Sequence, residues 1–375
     1  ELTIPIDLMN EPEEQKAQEP QTTAAAQKTD DEGAGAKKSH HDAGKEEDKD
    51  GGEELDADIV DAGPEPSDAE VTTAGDAGDN VASAPGDPNA LLGAAGKVQA
   101  GPPLVQLVVN FALIRTTPVG SQLGPLMSAI PQWDDFIAGT GVDAVRDTDW
   151  IYIQGPSLLH TDRDMIYVHY SASDKVVDKA IDIIAHKFDR GGPFDAGVPG
   201  VKASLGHADR ASRVFLRPQS HLLVVVPPDF AHTAALAYKN SKLGSPTRPG
   251  EALSFTVQNP NHPLPFLVTT SMKELRIWIV PRASDGGADV YAEGPCADAS
   301  GAAENAAKVK KYVAEQNSLG VRMLTDGLLN NVDVHAEGSV VKGHLSASRT
   351  QLQNILGLIA GQLGVSLEQN GTSAQ

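Results

Sequence analysis

The first 110 residues contain no aromatic side chain, and the first 100 contain no arginine. All the rings of the 375-residue chain (8 Phe, 6 Tyr and 3 Trp) lie at or beyond Phe111. A segment without rings and with few branched aliphatics cannot bury enough apolar surface to offset the entropy of ordering it. Charge in this stretch is also one-sided. Of the 51 acidic residues 25 fall within positions 1–100, against 7 of the 30 basic ones, which places about −18 of the net −21 there. The sequence therefore predicts a disordered, acidic, Ala/Gly/Pro-rich tether over residues 1–100, followed by a folded remainder that is close to neutral.

Cysteine is nearly absent. Cys296 is the only one, so the chain forms no intrachain disulfide and holds no cysteine-based zinc site. It follows Gly294-Pro295 and precedes an Ala-rich helical stretch. That context reads as a small buried side chain, with a reactive thiol at a helix N-terminus as the competing reading. Long hydrophobic runs are missing too: no stretch of about 18 apolar residues occurs, so the sequence displays neither a membrane span nor a signal peptide. Residues 1–9 form the one apolar patch before Ile59, as expected of a segment just outside an upstream membrane anchor or cleaved leader. The tether is strongly negative, whereas phosphate neutralisation requires clustered Lys and Arg. This excludes nucleic acid as a partner and disfavours docking on anionic lipid.

Residues 10–90 repeat Asp-Ala-Gly at Asp42, Asp61 and Asp76, and their prolines and glycines interrupt helix and strand. Pro85-Gly86-Asp87-Pro88 reads as a turn, with Asn89 capping a short helix through Lys97 that Pro102-Pro103 ends. From Leu104 the periodicities become those of an α+β protein. Leu104–Arg115 reads as a buried strand and Leu123–Ile137 as a helix broken at Pro131. Strands are expected at Trp150–Gln154, Asp164–Ser171, Val201–Leu205, Ser212–Arg217 and Leu222–Val226. Ser173 is expected to cap a helix through Phe188, and a second helix runs from Asp229 to about Asn240. Further on, Ala252–Gln258, Glu274–Val280, Asp289–Glu293, Val332–Glu337 and Ser339–Leu345 read as strands. Helices are expected over Asp298–Gln316 and from Ser348 to about Leu363, where Gly364 stops the last one.

Both blocks end on the same order of elements: strand pair, helix, strand pair, helix. That order predicts a duplication. The expected fold class is α+β: a disordered acidic N-terminal tether, then two similar halves, each an antiparallel sheet with helices packed on one face. The expected boundaries are 1–100 for the linker, 101–247 and 248–365 for the halves, and 366–375 for a disordered tail.

With the leading strand Leu104–Arg115, the phrase Gly141–Trp150 and the strand-to-helix junction Leu222–Pro228, residues 104–363 resemble a class of bacterial cell-envelope proteins. These are Gram-negative, myxobacterial-like proteins with an N-terminal anchor, a low-complexity linker and a duplicated α+β ectodomain. The resemblance implies a periplasmic or cell-surface location and an unidentified protein partner in the envelope, with membrane contact only through a removed or upstream segment. It supplies no catalytic residues.

Catalytic patterns fail on inspection. Ser339-Val340-Val341-Lys342 spells S-x-x-K, but alternation makes it a strand, where serine and lysine diverge instead of meeting one helical turn apart. Gly93–Val98 has two residues between its glycines where a phosphate loop has four, and Val98 replaces the magnesium-binding hydroxyl. Glu46–Gly51 imitates the start of a calcium loop, yet Ala57 stands where the bidentate Glu belongs. The 11 histidines lack helical ligand spacing; His335 and His344 face each other across the expected 332–345 hairpin, as a two-stranded metal site or as a solvated sheet face. Asp143, Asp147 and Asp149 around Arg146 read as turn and cap residues, and Asp162-Arg163-Asp164 as an exposed hairpin tip. The expectation is thus a non-enzymatic interaction or scaffold module, with no cofactor, metal or catalytic residue. Trp133 and Trp278 are the candidate partner contacts. The alternatives are a small-molecule or lipid site in a cleft between the halves, lined by Trp150, Tyr152 and Phe255, and an enzyme whose site the sequence does not display.

Overall fold

The apolar run that starts at Leu104 is a strand only as far as Asn110. There the Asn110 side chain accepts a hydrogen bond from the Leu113 amide at 3.0 Å and opens a one-turn helix, Phe111–Ile114, a local alternative that short polar side chains offer the backbone. The structure, a computed structural model, describes residues 87–93, 96, 98, 103–129, 136, 138–157, 161–208 and 211–365. The expected tether up to residue 86, the tail 366–375 and Trp133 lie outside the described residues.

The first part of the chain supplies β1 (Val105–Asn110), β2 (Thr148–Gly155), β3 (Met165–Tyr170), β4 (Gly192–Pro193), β5 (Lys202–Ala208), β6 (Ala211–Gln219) and β7 (Leu222–Val226). The second supplies β8 (Leu253–Gln258), β9 (Glu274–Pro281), β10 (Ala288–Pro295), β11 (Val332–Glu337) and β12 (Val340–Ala347). All pair antiparallel in one sheet, in the order β11-β12-β10-β9-β8-β1-β2-β3-β7-β6-β5-β4. The sheet crosses the expected boundary at 247/248, because β1 and β8 are neighbours with Leu107 opposite Phe255. Outward from this pair the strand order is β1-β2-β3-β7-β6 on one side and β8-β9-β10-β12-β11 on the other. The connections differ. Between β1 and β2 the chain inserts α2 (Phe111–Ile114), α3 (Gly120–Ser128) and α4 (Ala144–Asp147), which come after α1 (Pro88–Leu91).

Two longer helices of the first part cover opposite faces of the sheet. On α5 (Asp174–His186), Val177, Ile181 and Ile184 pack with Phe215 and Val225. On α6 (Ala231–Lys239), Ala231, Ala234, Ala235 and Tyr238 pack with Val214, Leu216, Val224 and Val226. The sequence predicts helices on one face; here both faces are occupied, which is why β7 is a continuous apolar run and β6 carries Val214, Phe215 and Leu216 in succession without alternation. Ser173 occupies the N-cap position of α5 but makes no side-chain cap bond. In the second part, α7 (Ala299–Gln316), capped by Asp298 on the Gly301 amide at 2.7 Å, packs Ala302 and Ala306 against Val334 and Val341. It is followed by α8 (Leu319–Leu324) and α9 (Arg349–Leu363). On α9, Ser348 and Gln351 form a capping box and Gly364 closes the helix at φ +68°, each end meeting the backbone groups a helix leaves unpaired.

Described structure begins at Asp87, inside the stretch expected to be linker. Asp87, in place of Asn89, caps α1 by accepting from the Asn89 amide at 3.0 Å. Asn89 is buried and accepts from the Tyr152 hydroxyl at 2.8 Å. Leu92 has 0% exposure, and the carbonyl of Val98 accepts from Gln154 and Tyr167 at 3.2 Å each. Gly96 is required here: a Cβ would lie 2.0 Å from the Asn89 carbonyl oxygen. The glycines that imitate a phosphate loop thus serve packing.

The 161–164 tip is not wholly exposed. Asp164 is buried, and the fully buried Arg213 donates to the carbonyls of Asp162 at 3.1 Å, Asp164 at 2.8 Å and Thr161.

Leu92→Ala is expected to lower unfolding stability by about 3 kcal/mol in urea titration, the ordinary cost of emptying a fully buried leucine site. A loss under about 0.5 kcal/mol, the size of a neutral surface change, would show residues 87–98 detached from the core.

Candidate binding cleft

The site begins with one extra residue. Thr148 pairs with Tyr170, but Trp150 pairs with His169, so Asp149 is a bulge on β2. Bulges re-aim side chains, and this one brings the Asp149 carboxylate onto two partners. Oδ1 accepts from Arg115 Nη2 at 2.8 Å, and Oδ2 lies 3.0 Å from His169 Nδ1. A carboxylate only accepts, so Nδ1 is the donor of this bond. Arg115 is itself anchored on the carbonyls of Val145 at 2.9 Å and Thr148 at 2.5 Å.

The Trp150 and His169 rings stack with centroids 5.6 Å apart and 22° between planes. His221 lies 6.3 Å from His169, its Nδ1 at 2.9 Å from the Tyr170 carbonyl oxygen and its backbone at φ +62°, in the left-handed region. A left-handed histidine at the β6–β7 turn is uncommon for a residue with a Cβ, and the turn is held from outside. The Ser220 hydroxyl donates to Asp174 Oδ2 at 2.9 Å and the Tyr170 hydroxyl to Oδ1 at 2.8 Å. These bonds hold the Asp174 carboxyl down at about 2, with the Tyr170 hydroxyl the largest cause. Gln219 donates to the carbonyls of Tyr238 and, at 2.8 Å, Ser241, tying the end of α6 to the same turn.

Between this turn and the irregular segment that follows α6 opens a cleft of about 520 Å³. Trp150, His169 and Leu222 line the sheet side, Gln219 and Ser220 the turn, and residues 242–245 the opposite side. Its volume falls within the range of small-molecule sites. Both nearby carboxylates already have arginine partners: Asp149 has Arg115 at 2.8 Å and Asp174 has Arg217 at 3.6 Å. Lys242 is exposed and has no ion-pair partner among the described residues.

Of the residues singled out in the sequence, Trp150 alone lines this cleft. Tyr152 shares its face of β2 but is buried beneath Asn89, Leu92 and Val98, in a row with Tyr167 and Tyr238. Phe255 sits on the opposite face, because Tyr152 pairs through Val108 with Ser254 and not with its neighbour. The three do not line one cleft, and the cleft lies within the first part of the sheet instead of between two halves.

Trp278 is buried among its neighbours, to the same degree as Trp150. Arg276 lies over its ring at 4.3 Å, Tyr291 stacks on it at 5.4 Å, and His344 follows Tyr291 at 4.9 Å. Cross-strand stacking of this kind fills a sheet face with rings. His335 and His344 are not opposite one another: Lys342 faces His335 and Asp333 faces His344. His344 Nε2 turns to Asp289 at 3.2 Å, and no group of three metal-ligating side chains occurs among the described residues. Cys296 is buried, with Asn305 Nδ2 at 3.5 Å from its Sγ. Asp143 caps α4 through the Val145 and Arg146 amides, and Asp147 pairs with Arg146 at 2.6 Å. No described helix is long and apolar enough to cross a membrane.

No protein-family profile and no characterised protein matches the chain by sequence. Among solved structures, TP0453 in its crystal form I is similar at 12% identity and a TM-score of 0.39, over 73% of this chain and 98% of that one. The double-ringed trimeric shell protein MSM0271 of the RMM microcompartment aligns at 16% identity and a TM-score of 0.12, over 56% of this chain and 87% of its own. Likenesses at these scores carry no argument about fold or function.

Because Asp174 is held below the ordinary 3.8 in the folded chain, its contribution to stability is complete above pH 4 and is lost as pH falls through about 2. Asp174→Asn should lower stability at neutral pH and flatten the acid limb of a circular-dichroism unfolding curve between those values. An acid limb unchanged by the substitution would refute the assignment.

Proposed function

We propose that the chain is a non-enzymatic binding module of the cell envelope, periplasmic or on the surface, held on its acidic N-terminal stretch as on a tether. We further propose that recognition takes place in the cleft floored by Trp150 and His169. The observation that carries the reading is the cleft itself: its walls come from three separate segments whose positions are fixed by the Asp149 bulge, the Ser220–Asp174 bond and the Gln219 bridge. Groups held in this way present a preformed surface, which limits the ordering cost of binding. His169 is fully engaged on one side by stacking and on the other by Asp149, an arrangement suited to holding a shape.

Support for the envelope part comes from composition. The pair of features expected of an exported, tethered module is a segment with no aromatics and about −18 of charge ahead of a near-neutral folded part with a single cysteine. Charge repulsion extends such a segment and favours solubility.

Mapping of amide shifts with a soluble fragment set covering acids, bases and neutral rings should place the perturbed signals at His169, residues 219–222 and residues 242–245. Ser245→Trp, at an exposed rim position, should abolish those shifts without changing the melting temperature. Perturbations scattered elsewhere, or surviving in Ser245→Trp, would overturn the site. Fractionation of cells that make the native gene product should recover it with periplasmic or surface markers, and recovery with cytosolic markers would remove the envelope part of the reading.

A further inference from the structure

We infer that the cleft selects a small organic anion with an apolar body, an assignment that rests on the cleft being the binding site. The apolar share of the lining is Trp150, Leu222 and Leu243, of which Trp150 and Leu222 are largely covered and Leu243 is half-buried. The charge at the rim decides the sign of the ligand. Two carboxylates approach the cleft, and each would repel an anion if left alone. Neither is. Asp149 is bound by Arg115 at 2.8 Å, and Asp174 is bridged by the Tyr170 and Ser220 hydroxyls, with Arg217, which pairs directly with Asp178, 3.6 Å behind it.

Lys242 is the exception. Its neighbours in the lining, Leu243, Gly244 and Ser245, bring no charge, and it has no carboxylate partner among the described residues. An exposed ammonium on a flexible stem beside an apolar wall acts as a point charge for an acid group and leaves orientation to the wall. Two other lysines of the first part are turned elsewhere: Lys239 donates to the Pro199 carbonyl and Lys202 pairs with Asp178 at 2.9 Å. A cationic ligand would find no unpaired carboxylate here, and a neutral one would leave the Lys242 charge unused.

Three compounds with one common body separate the classes: 3-phenylpropanoate, 3-phenylpropanol and 3-phenylpropylammonium, each titrated by amide shifts at Gly244 and Ser245 of the full chain. The acid is expected to bind roughly tenfold more tightly than the alcohol, a difference of about 1.4 kcal/mol, and the ammonium most weakly. Lys242→Gln should bring the acid down to the alcohol while leaving the alcohol's affinity within about twofold, since the substitution keeps the stem. Equal binding of acid and alcohol, tighter binding of the ammonium, or an acid advantage that survives Lys242→Gln would overturn the assignment of ligand class. If the fragment set maps to the cleft but none of the three compounds binds, the class falls and the site stands. If neither binds there, both fall.

Discussion

Five residues of β1, Val105 to Val109, pair with β8 on one side and with β2 on the other. Every other part of the sheet is positioned through this ladder. It sets the register by which Val108, Tyr152 and Ser254 share one face and Leu107, Ile153 and Phe255 the other. A slip of one residue would exchange these sets and place Tyr152 against the helices on the wrong side. Because both faces of the first part are packed, there is no solvated face to which a misplaced apolar residue can escape at low cost. Burial on two sides therefore specifies register more strongly than burial on one.

The cleft arises from that register combined with a single departure from it. Without the bulge, Asp149 would alternate onto the face opposite Trp150. With it, the carboxylate reaches His169 and Arg115 together. One inserted residue thereby positions a ring, neutralises a carboxylate and fastens the loop that carries Arg115. The β6–β7 turn is secured by a different set, with Asp174 bonding Ser220 and Tyr170. The two arrangements share no charged group, so the sheet side and the turn side of the cleft are fixed independently. Charge–charge terms at such partly exposed pairs are small individually; what they determine here is geometry.

Much of the secondary structure is legible in the residues. β7 and β11 have the bounds expected from their apolar runs, since Pro227 follows one and Gly338 the other. The helices after Asp298 and Ser348 are marked by their caps, and the end of the last by Gly364. The α+β class and antiparallel pairing come from the same patterns. Less legible is whatever depends on contacts distant in sequence. An exception is local: Asn110 ends β1 and its side chain accepts from the Leu113 amide to open a helix turn within what reads as one apolar run. The bulge at Asp149 leaves the alternation of Trp150 and Tyr152 intact and so gives no sign in the sequence. Placing Phe255 relative to Trp150 and Tyr152 requires a register across β1 that no local pattern supplies. His169 and Lys242 go unmarked because a lone histidine in a strand and a lone lysine after a helix have no spacing signal.

The segment from Asp87 to Val98 shows most plainly why composition alone misplaces a boundary. It has no ring and few large aliphatics, yet its groups are held by polar atoms of the sheet: Gln106 bonds Asp87, Tyr152 bonds Asn89, and Gln154 and Tyr167 bond the Val98 carbonyl. Burial pushes the Tyr167 hydroxyl up to about 12 and the Tyr152 hydroxyl higher still, so both stay protonated donors at every pH the fold would meet. In a low-dielectric interior such bonds are stronger than in water, and leaving one unmade is costly. Apolar contact alone would let the segment slide along the sheet; hydroxyls and amides accept a single register. The composition that marks residues 1–100 as unable to build a core is thus compatible with their last part being held by a core already built, and the chain's change from acidic linker to folded sheet is fixed by the tyrosines of β2 and β3.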